Sequence, residues 1–365
     1  MAKNSKNRRW IFPIVLLAYA LVFLVAMAFG LDYLWDYMDA YERTRPHTAL
    51  NAYMEKLTPE YIADGCDELI AKIDSNIQPE EACRKVIVDS LTEKITCAKK
   101  TTESTEDHHV YVIRCGAKII GTMEMDRNGA AVQGLTTWQV TKDSFDLSYL
   151  MTEPKSITVP ENFSVYAGET LLSKDLITKD KLQYSMLKEF YSSFEKLPSM
   201  VTYTAGPFLG EVELTAKDAE GNAVVFDENT DMNSFLPRAT DAEKKDLDKI
   251  IEDFLTYHMK MSANAGNSPT ANYNALKKYM VPNGELSKRM KEAIGGLKWI
   301  TDRGAKMKSI NTAEYISLGD GRYMCDVTYV VNVYGLGGRI DTTTRVKLIL
   351  LETDNGLKAE AMITM

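Results

Sequence analysis

The sequence predicts an α+β protein: an N-terminal transmembrane helix, then two helix-plus-curved-antiparallel-sheet domains separated by a small β-rich module. Two observations predict this organisation. An uncharged apolar run lies near the N-terminus, and residues at helical spacing precede residues at alternating spacing in two later stretches. Helices that precede antiparallel strands and cover one face of their sheet define the α+β class. A chain of 365 residues has room for about two or three domains.

The apolar run covers residues 11–31 and contains no charged side chain. A helix of this length spans about 30 Å, the thickness of the bilayer hydrocarbon. The four bases of residues 1–10 precede the run, and Asp32, Asp36 and Asp39 follow it. The positive-inside rule therefore predicts a cytoplasmic tail at 1–10, lipid contact through 11–31 and an extracytoplasmic body.

A cleaved signal peptide is the alternative interpretation of the same segment. Ala26, Met27 and Ala28 fit a small-residue cleavage site. The apolar run continues through Leu31, however, and is long enough to cross a bilayer. The alternatives predict either a single-pass membrane protein or a secreted one, and both place residues 32–365 outside the cytoplasm.

The predicted body is acidic. The whole chain carries a net charge of −8 and the tail carries +4, which leaves −12 for residues 32–365. An acidic surface repels nucleic acid and anionic lipid headgroups at long range. We therefore expect no nucleic-acid partner and a basic protein partner in the cell envelope; the sequence leaves the oligomeric state open.

The first domain is predicted at residues 32–150. A helix continues from the apolar run to the Arg45-Pro46 break, and a short helix ends near Leu57. Thr58-Pro59 fits the N-cap and first position of another helix, and Pro79 begins the next. Beyond Lys94 the spacing becomes strand-like with hairpin turns, which predicts an antiparallel meander.

Four cysteines lie within this first domain. Cys66 and Cys83 fall on the apolar stripes of two neighbouring helices, where a bridge closing about 16 residues would contribute about 3 kcal/mol. Cys97 and Cys115 flank a polar stretch that contains His108-His109, so they belong to a predicted hairpin. We predict the bridges Cys66–Cys83 and Cys97–Cys115, with Cys325 reduced. Four buried, reduced thiols are the alternative.

The second domain is predicted at residues 238–365, after a β-rich module at 151–237. Thr240 and Glu243 form a capping box, Pro269 begins a second helix, and Gly295-Gly296 ends a third. Three strands with hairpin turns follow. Their inward-facing residues are predicted to be Tyr323, Cys325, Val327, Tyr329, Val331 and Val333; Ile340, Thr342, Thr344, Val346, Leu348 and Leu350; and Leu357, Ala359, Ala361, Ile363 and Met365.

This arrangement resembles the nuclear-transport-factor-two-like cone. Helices followed by long strands, with Gly321–Tyr329 and Asp354–Glu360 as two of them, carry the resemblance over residues 240–365 and more loosely over 46–150. Within the middle module, Ile157–Val165 resembles the β-rich modules of Gram-positive envelope proteins of the teicoplanin-resistance-associated type. Similar cones occur in the N-terminal extension of low-affinity penicillin-binding proteins and in conjugation-channel subunits. The resemblance implies a membrane-anchored protein of the cell envelope.

Enzymes of that superfamily place an Asp or His inside an apolar cone, where burial shifts its pKa. This chain offers His258 on a helical apolar stripe, whereas strand alternation predicts that Asp326 and Asp341 face solvent. A single histidine on such a stripe is usually a core residue, and we predict no catalytic residue, metal or cofactor. The candidate pocket residues are Tyr257, His258, Tyr279, Trp299, Tyr315 and Tyr329.

Two functions follow from the sequence. The first is a non-catalytic, membrane-tethered extracytoplasmic binding or scaffold protein. The alternative is a small-molecule-binding protein, or an isomerase-like or dehydratase-like enzyme, that uses the C-terminal cone. A deep cavity holding an unpaired carboxylate or histidine would favour the alternative, and a filled cone with an exposed apolar patch the first.

Overall fold

The computed structural model describes residues 5–132, 134–227, 229–297, 304–335 and 338–365. Its helices and antiparallel sheets confirm the predicted α+β class. The chain divides into two compact units: unit 1 comprises Met1–Lys155, Tyr166–Leu172 and Thr204–Leu214, and unit 2 comprises Ser156–Val165, Ser173–Tyr203 and Thr215–Met365. Residues 151–237 contribute to both units, so an independent module there stays a prediction.

The helix that follows Thr58 begins at Pro59 as predicted, but it ends at Asp64 and a further helix begins at Asp67, where the sequence predicted one helix that contains Cys66. The Thr58 hydroxyl accepts a hydrogen bond from the Tyr61 backbone N–H and caps the helix that Pro59 begins. The apolar run lies within one long helix, α1, whose length and composition fit a membrane crossing. The helices are α1 (Ser5–Arg43), α2 (Pro46–Lys56), α3 (Pro59–Asp64), α4 (Asp67–Ile70) and α5 (Glu80–Ser90).

A four-stranded antiparallel sheet completes the core of unit 1 in the order β1-β2-β3-β6. Ile113 and Met123 on the sheet are buried with Ile62 and Ile87 on the helices. The strands are β1 (Ile95–Lys99), β2 (His108–Cys115), β3 (Lys118–Asp126), β4 (Ala131–Val132), β5 (Leu135–Thr136) and β6 (Gln139–Phe145).

Short strands fill the following stretch of the chain. They are β7 (Met151–Thr152), β8 (Lys155–Pro160), β9 (Ser164–Ala167), β10 (Thr170–Leu171), β11 (Ile177–Gln183), β12 (Ser199–Ala205), β13 (Phe208–Leu209), β14 (Leu214–Lys217) and β15 (Ala223–Val224). Antiparallel pairs join β7 to β13 within unit 1 and β14 to β15 within unit 2.

Unit 2 packs long helices on one face of a sheet ordered β16-β17-β18-β19. Both halves of the predicted capping box form, because the Glu243 N–H and carboxylate each bond to Thr240. The elements are α6 (Asp241–Ser262), α7 (Pro269–Leu276), α8 (Glu285–Leu297), β16 (Lys306–Gly319), β17 (Arg322–Gly335), β18 (Gly338–Thr353) and β19 (Gly356–Thr364).

The predicted alternation holds for β17 and for the buried half of β18 but not along the whole of β19. Cys325, Val327, Leu348 and Leu350 pack toward α6 as predicted. On β19 the register shifts, because Leu350 pairs with Ala359 while Ile349 pairs with Ala361. Glu360 is an extra residue in this strand, so the side chains after it change face. Strict alternation along the sequence does not predict such a change. Ala361 and Ile363 consequently pack on the opposite face.

That opposite face of the sheet is itself covered, which corrects the prediction for Asp326. Leu187 and Phe190 from the segment between β11 and β12 pack against Met324 and Ile349. Asp326 therefore lies in a buried layer and is 2% exposed, because a second part of unit 2 covers its side of the sheet. Asp341 lies farther along the sheet, is exposed as predicted, and accepts a hydrogen bond from Lys308.

Candidate functional site

Five of the six predicted pocket residues lie within the described part of the chain, and Trp299 lies outside it. The Tyr257 and Tyr279 rings stack at 5.3 Å with an interplanar angle of 19°. The Lys260 ammonium lies 5.0 Å from the Tyr257 ring centroid. Both tyrosines are half-buried. The structure thus brings these two candidates together near the C-terminal end of α6.

The Tyr315 hydroxyl donates instead to the Asp248 carboxylate, near the other end of α6. Burial raises the pKa of Tyr315, and this hydrogen bond adds to the effect. Tyr329 is buried in the core between α6 and the sheet. These candidates therefore do not line one common pocket.

His258 lies on the buried stripe of α6, one helical turn beyond Phe254. The two rings are nearly parallel, with centroids 5.9 Å apart. Its Nδ1 is buried and has no hydrogen-bond partner in the described part of the chain. Burial lowers the pKa of His258 to about 4, so its imidazole is neutral at pH 7. A neutral imidazole whose buried Nδ1 has no described partner is a feature that fits a small-molecule site, and His109 Nδ1 in unit 1 is likewise buried without a described partner.

An open groove between α6 and the β18–β19 hairpin is the second candidate. It encloses about 540 Å³. We call it the acidic groove, because four carboxylates and a single lysine supply its charged side chains. Its lining is Glu243, Asp246, Leu247, Lys249, Ile250, Asp253, Tyr323, Glu352, Asn355, Gly356 and Leu357. The sequence analysis missed it, although its acids recur at helical spacing along α6 and in the hairpin that packs beside it.

The charge of the groove is fixed partly by local hydrogen bonds. The Glu243 carboxylate accepts hydrogen bonds from the Tyr323 hydroxyl and from the backbone N–H and side-chain hydroxyl of Thr240. These bonds lower the pKa of Glu243 to about 2. The same contact, with burial, raises the pKa of Tyr323 to about 12. Glu243 is consequently ionised and Tyr323 neutral across the physiological range, and the groove stays negative.

The paired histidines of unit 1 are placed differently from the sequence prediction. They begin β2 rather than lying in a polar loop. His108 Nδ1 lies 2.6 Å from an Asp126 oxygen, and Thr141 donates to the other oxygen at 2.7 Å. His109 points to the opposite side and stacks on Trp138 at 4.2 Å, and burial lowers its pKa. Strand alternation separates the two side chains, so they form no common site.

All five cysteines are free thiols, which corrects the two predicted bridges. On the β1–β2 hairpin Cys97 pairs with Ile113, whereas Cys115 pairs with Ile95. Cys115 therefore lies two residues away from the position opposite Cys97, and the two cysteines do not face each other across the strands. Cys66 and Cys83 belong to the apolar core as thiols, and burial raises the pKa of Cys66 to about 11. Over the described ranges, no group of three potential ligands is placed to hold a metal ion.

No protein-family model and no curated protein matches the chain. Three solved structures are similar in part. An Ntf2-like potential transfer protein TraM from the Gram-positive conjugative plasmid pIP501 is 16% identical, covers 33% of this chain and 94% of its own, and has a TM-score of 0.24. The intermembrane space region of the chloroplast protein ARC6 is 12% identical. The match covers 35% of this chain and 98% of the ARC6 chain, with a TM-score of 0.26.

An Ntf2-like protein involved in plasmid conjugation is 10% identical and covers 74% of this chain and 75% of its own, with a TM-score of 0.24. Two of the three are described as Ntf2-like. Likenesses at these TM-scores do not establish a shared function. The resemblance to teicoplanin-resistance-associated proteins stays a prediction.

Proposed function

We propose that this protein is a non-catalytic, membrane-tethered extracytoplasmic binding or scaffold protein of the cell envelope. The observation that carries the proposal is the exposure of the apolar part of α1. Phe12, Tyr19 and Phe29 are each more than two-thirds exposed, and the most apolar window of this helix has none of its residues buried within the protein. Leaving so many large apolar side chains in water is unfavourable by about 25 cal/mol for each Å², and a bilayer removes that cost.

The charges on either side of this segment support an outward-facing body. Bases lie before the apolar run, and Asp32, Asp36 and Asp39 follow it on the same helix. Positive charge is retained on the cytoplasmic side of single-pass proteins. The tether then holds both units near the membrane surface, where a weak contact gains effective concentration.

The features of unit 2 support binding rather than catalysis. Its apolar core is filled by side chains such as Leu247, Phe254 and Val327, and the candidate aromatic residues lie at separate places. The acidic groove is open and negatively charged, which suits a basic protein segment. Complementary charge on a partner would raise the association rate and make binding sensitive to salt.

Two measurements test the proposal. Protease added to intact spheroplasts should remove a C-terminal epitope while a cytoplasmic control survives, and sodium carbonate should leave the full-length chain in the membrane. Protection of the epitope would contradict the topology. Release of a shortened chain into the medium would support the signal-peptide alternative.

The binding surface is tested by charge reversal. The variant Asp246→Lys with Asp253→Lys should lose partners captured by cross-linking in intact membranes. The matched control, Glu195→Lys with Glu220→Lys, changes the net charge equally at exposed positions of unit 2 outside the groove. Equal capture by both variants would show that the acidic groove is not the binding surface.

A second candidate function rests on His258. A buried Nδ1 without a described partner is the kind of group that a small-molecule site uses. The variant His258→Ala tests it. If the folded variant loses binding or conversion of a small molecule, the cone is a ligand site and the non-catalytic scaffold proposal is withdrawn.

A further inference from the structure

The outer edge of β19 is open. β19 is the last strand in the order β16-β17-β18-β19, so only its other edge pairs with a strand of the sheet. The Met365 N–H donates to the Arg345 carbonyl at 2.9 Å. Since hydrogen-bonded positions alternate along an antiparallel pair, the backbone groups of Met362 and Thr364 point away from β18. Over the described ranges no further backbone hydrogen bond reaches these two residues, so the edge offers N–H and C=O groups to a partner.

A cavity of about 220 Å³, which we call the edge slot, lies along this edge. Glu360–Ile363 form its base, and its two walls come from the layers that cover the two faces of the sheet. The walls include Phe190, Ser193 and Phe194 on one side, and Leu286 and Arg289 of α8 on the other. The edge of the sheet is thus recessed between two layers of side chains.

Both walls of the edge slot are largely apolar. Ile363 packs in the layer of Phe190 and Phe194, whereas Met362 packs in the layer of Leu286. A strand added beside β19 would alternate in the same way, with successive side chains facing opposite walls. Strands that are covered on both faces consist of consecutive apolar residues rather than alternating ones. The walls therefore select an extended segment that is apolar on both sides.

The charged side chains that line the edge slot are paired with one another or with a neighbour. Arg322 bonds to both carboxylate oxygens of Glu360, at 2.8 and 3.2 Å. Arg289 Nε lies 3.3 Å from a Glu285 oxygen. The charges of these two pairs cancel, in contrast to those of the acidic groove at the other end of β19. The slot therefore suits an uncharged segment.

The chain itself occupies this edge immediately before the slot. Met280 forms a parallel β-bridge with Ala359, and the Val281 N–H donates to the Ala359 carbonyl at 3.0 Å. A turn at Asn283, whose φ is +59°, then leads the chain into α8. The edge therefore already accepts a main chain at Ala359, and the part that stays open is Met362–Thr364.

We propose that the edge slot binds a short, extended, uncharged and apolar segment of another protein as a fifth strand beside Met362–Thr364. Such an addition supplies main-chain hydrogen bonds, and the pockets beside the edge select the side chains. A lipid chain would fill the apolar walls but would leave the polar groups of the edge unpaired, which is unfavourable. A second copy's β19 lies between walls of its own, and these keep two such edges farther apart than the roughly 4.8 Å of paired strands. The edge slot is separate from the acidic groove, so either site can bind without the other.

Binding of short synthetic peptides to the full chain in lipid nanodiscs tests the slot. The probes are capped pentapeptides Ser-Val-X-Val-Ser, where X is Ala, Leu, Phe, Lys or Asp, each with a fluorescent label on a flexible linker. Fluorescence anisotropy should show the tightest binding for Leu or Phe. Lys and Asp should bind about tenfold more weakly or worse, because a charge between apolar walls is unfavourable. Absence of binding by every apolar peptide at millimolar concentration would overturn the proposal.

Methylation of the peptide nitrogens distinguishes strand addition from apolar contact alone. Alternate N–H groups of an added strand face β19, and the others face away. Two forms of the best peptide are compared, one methylated at its second and fourth residues and the other at its third and fifth. One form should lose binding and the other should retain it. Equal results for the two forms would indicate contact without main-chain pairing, as a lipid chain would make, and would contradict the fifth strand.

Two pairs of variants place the peptide in the edge slot. Thr364→Pro removes one outward N–H, whereas Thr364→Val keeps it, so only the proline variant should weaken binding, by about tenfold for one lost hydrogen bond. Ser193→Trp fills the slot and should abolish binding, whereas Ser192→Trp, at an exposed neighbour outside the slot, should not. Wild-type affinity in both Thr364→Pro and Ser193→Trp would show that the peptide binds elsewhere.

Two further measurements separate this site from other occupants and other sites. A wild-type chain that sediments as a dimer, and that Thr364→Pro converts to a monomer, would assign the edge to a second copy and overturn the proposal. Peptide affinity is also measured in Asp246→Lys with Asp253→Lys, which line the acidic groove. A loss there as large as that in Ser193→Trp would place the peptide in the acidic groove and remove the edge slot as its site.

Discussion

Asp326 and Arg345 form a bidentate ion pair across β17 and β18, with Arg345 Nε 2.8 Å from one carboxylate oxygen and Nη2 bonded to the other. Asp326 is buried, whereas the Arg345 side chain is 58% exposed. The pair borders a polar contact below the sheet, because Lys347 lies directly opposite Asp326 and donates to Glu189 at 2.8 Å. Charged side chains thus hold the segment around Glu189 against the sheet.

We expect Lys347→Met to destabilise the protein by about 1–3 kcal/mol, since the Met186 carbonyl and the half-buried Glu189 lose their donor. The midpoint of thermal or urea unfolding of the full chain in detergent measures this change. Lys245→Met on the exposed side of α6 is the control, and it should change stability by less than about 0.5 kcal/mol. Equal stability of the two variants would show that the buried contact contributes nothing.

His258 predicts a distinct dependence of stability on pH. Its folded pKa of about 4 is lower than the value of 6.5 for an unfolded histidine, so protonation favours unfolding. The contribution of neutral His258 to the free energy of unfolding is fully present above pH 6.5, and it falls by up to about 3 kcal/mol as the pH decreases toward 4. His258→Phe should keep the stacked ring and remove this loss. Unfolding midpoints at pH 7, 5.5 and 4.5 should therefore diverge between wild type and variant, with exposed His47→Asn behaving like wild type.

Glu243 acts in a more acidic range. Its folded pKa of about 2 is below the ordinary 4.5, so its stabilising contribution is present above pH 4.5 and is lost as the pH falls toward 2. Glu243→Gln should be less stable than wild type at pH 7, and the difference should shrink between pH 4.5 and 2. Tyr323→Phe, which removes the first of its hydrogen bonds, should weaken this pH dependence. A difference that is constant with pH would contradict the assignment.

The thiols give a direct chemical prediction. Denatured protein without reductant should react with five equivalents of a thiol reagent, because no cysteine is bridged. The native protein should react slowly, since burial raises the pKa of Cys97 to about 11 and that of Cys325 to about 12. Counting labels by intact mass distinguishes the cases. A single label per denatured chain would show instead that four cysteines are bridged, as the sequence predicted.

Local signals predicted much of this fold correctly. The caps at Thr58 and Thr240 form as predicted because each depends on residues within three positions of the helix start. The apolar run of α1 and the inward residues of β17 follow from spacing along one element. These features need no knowledge of what the element packs against.

The remaining features depended on distant parts of the chain, and only the tertiary structure decided them. Asp326 is buried because residues near Leu187 cover the second face of the sheet, a contact between segments more than a hundred residues apart. The extra residue at Glu360 reverses the alternation of β19, and the register of β1 against β2 separates Cys97 from Cys115. By itself the sequence determined the helix starts at Pro59 and Asp241, the apolar run and the α+β class, because these are properties of neighbouring residues. Register and the covering of a face are set by long-range packing, which single-strand periodicity does not contain.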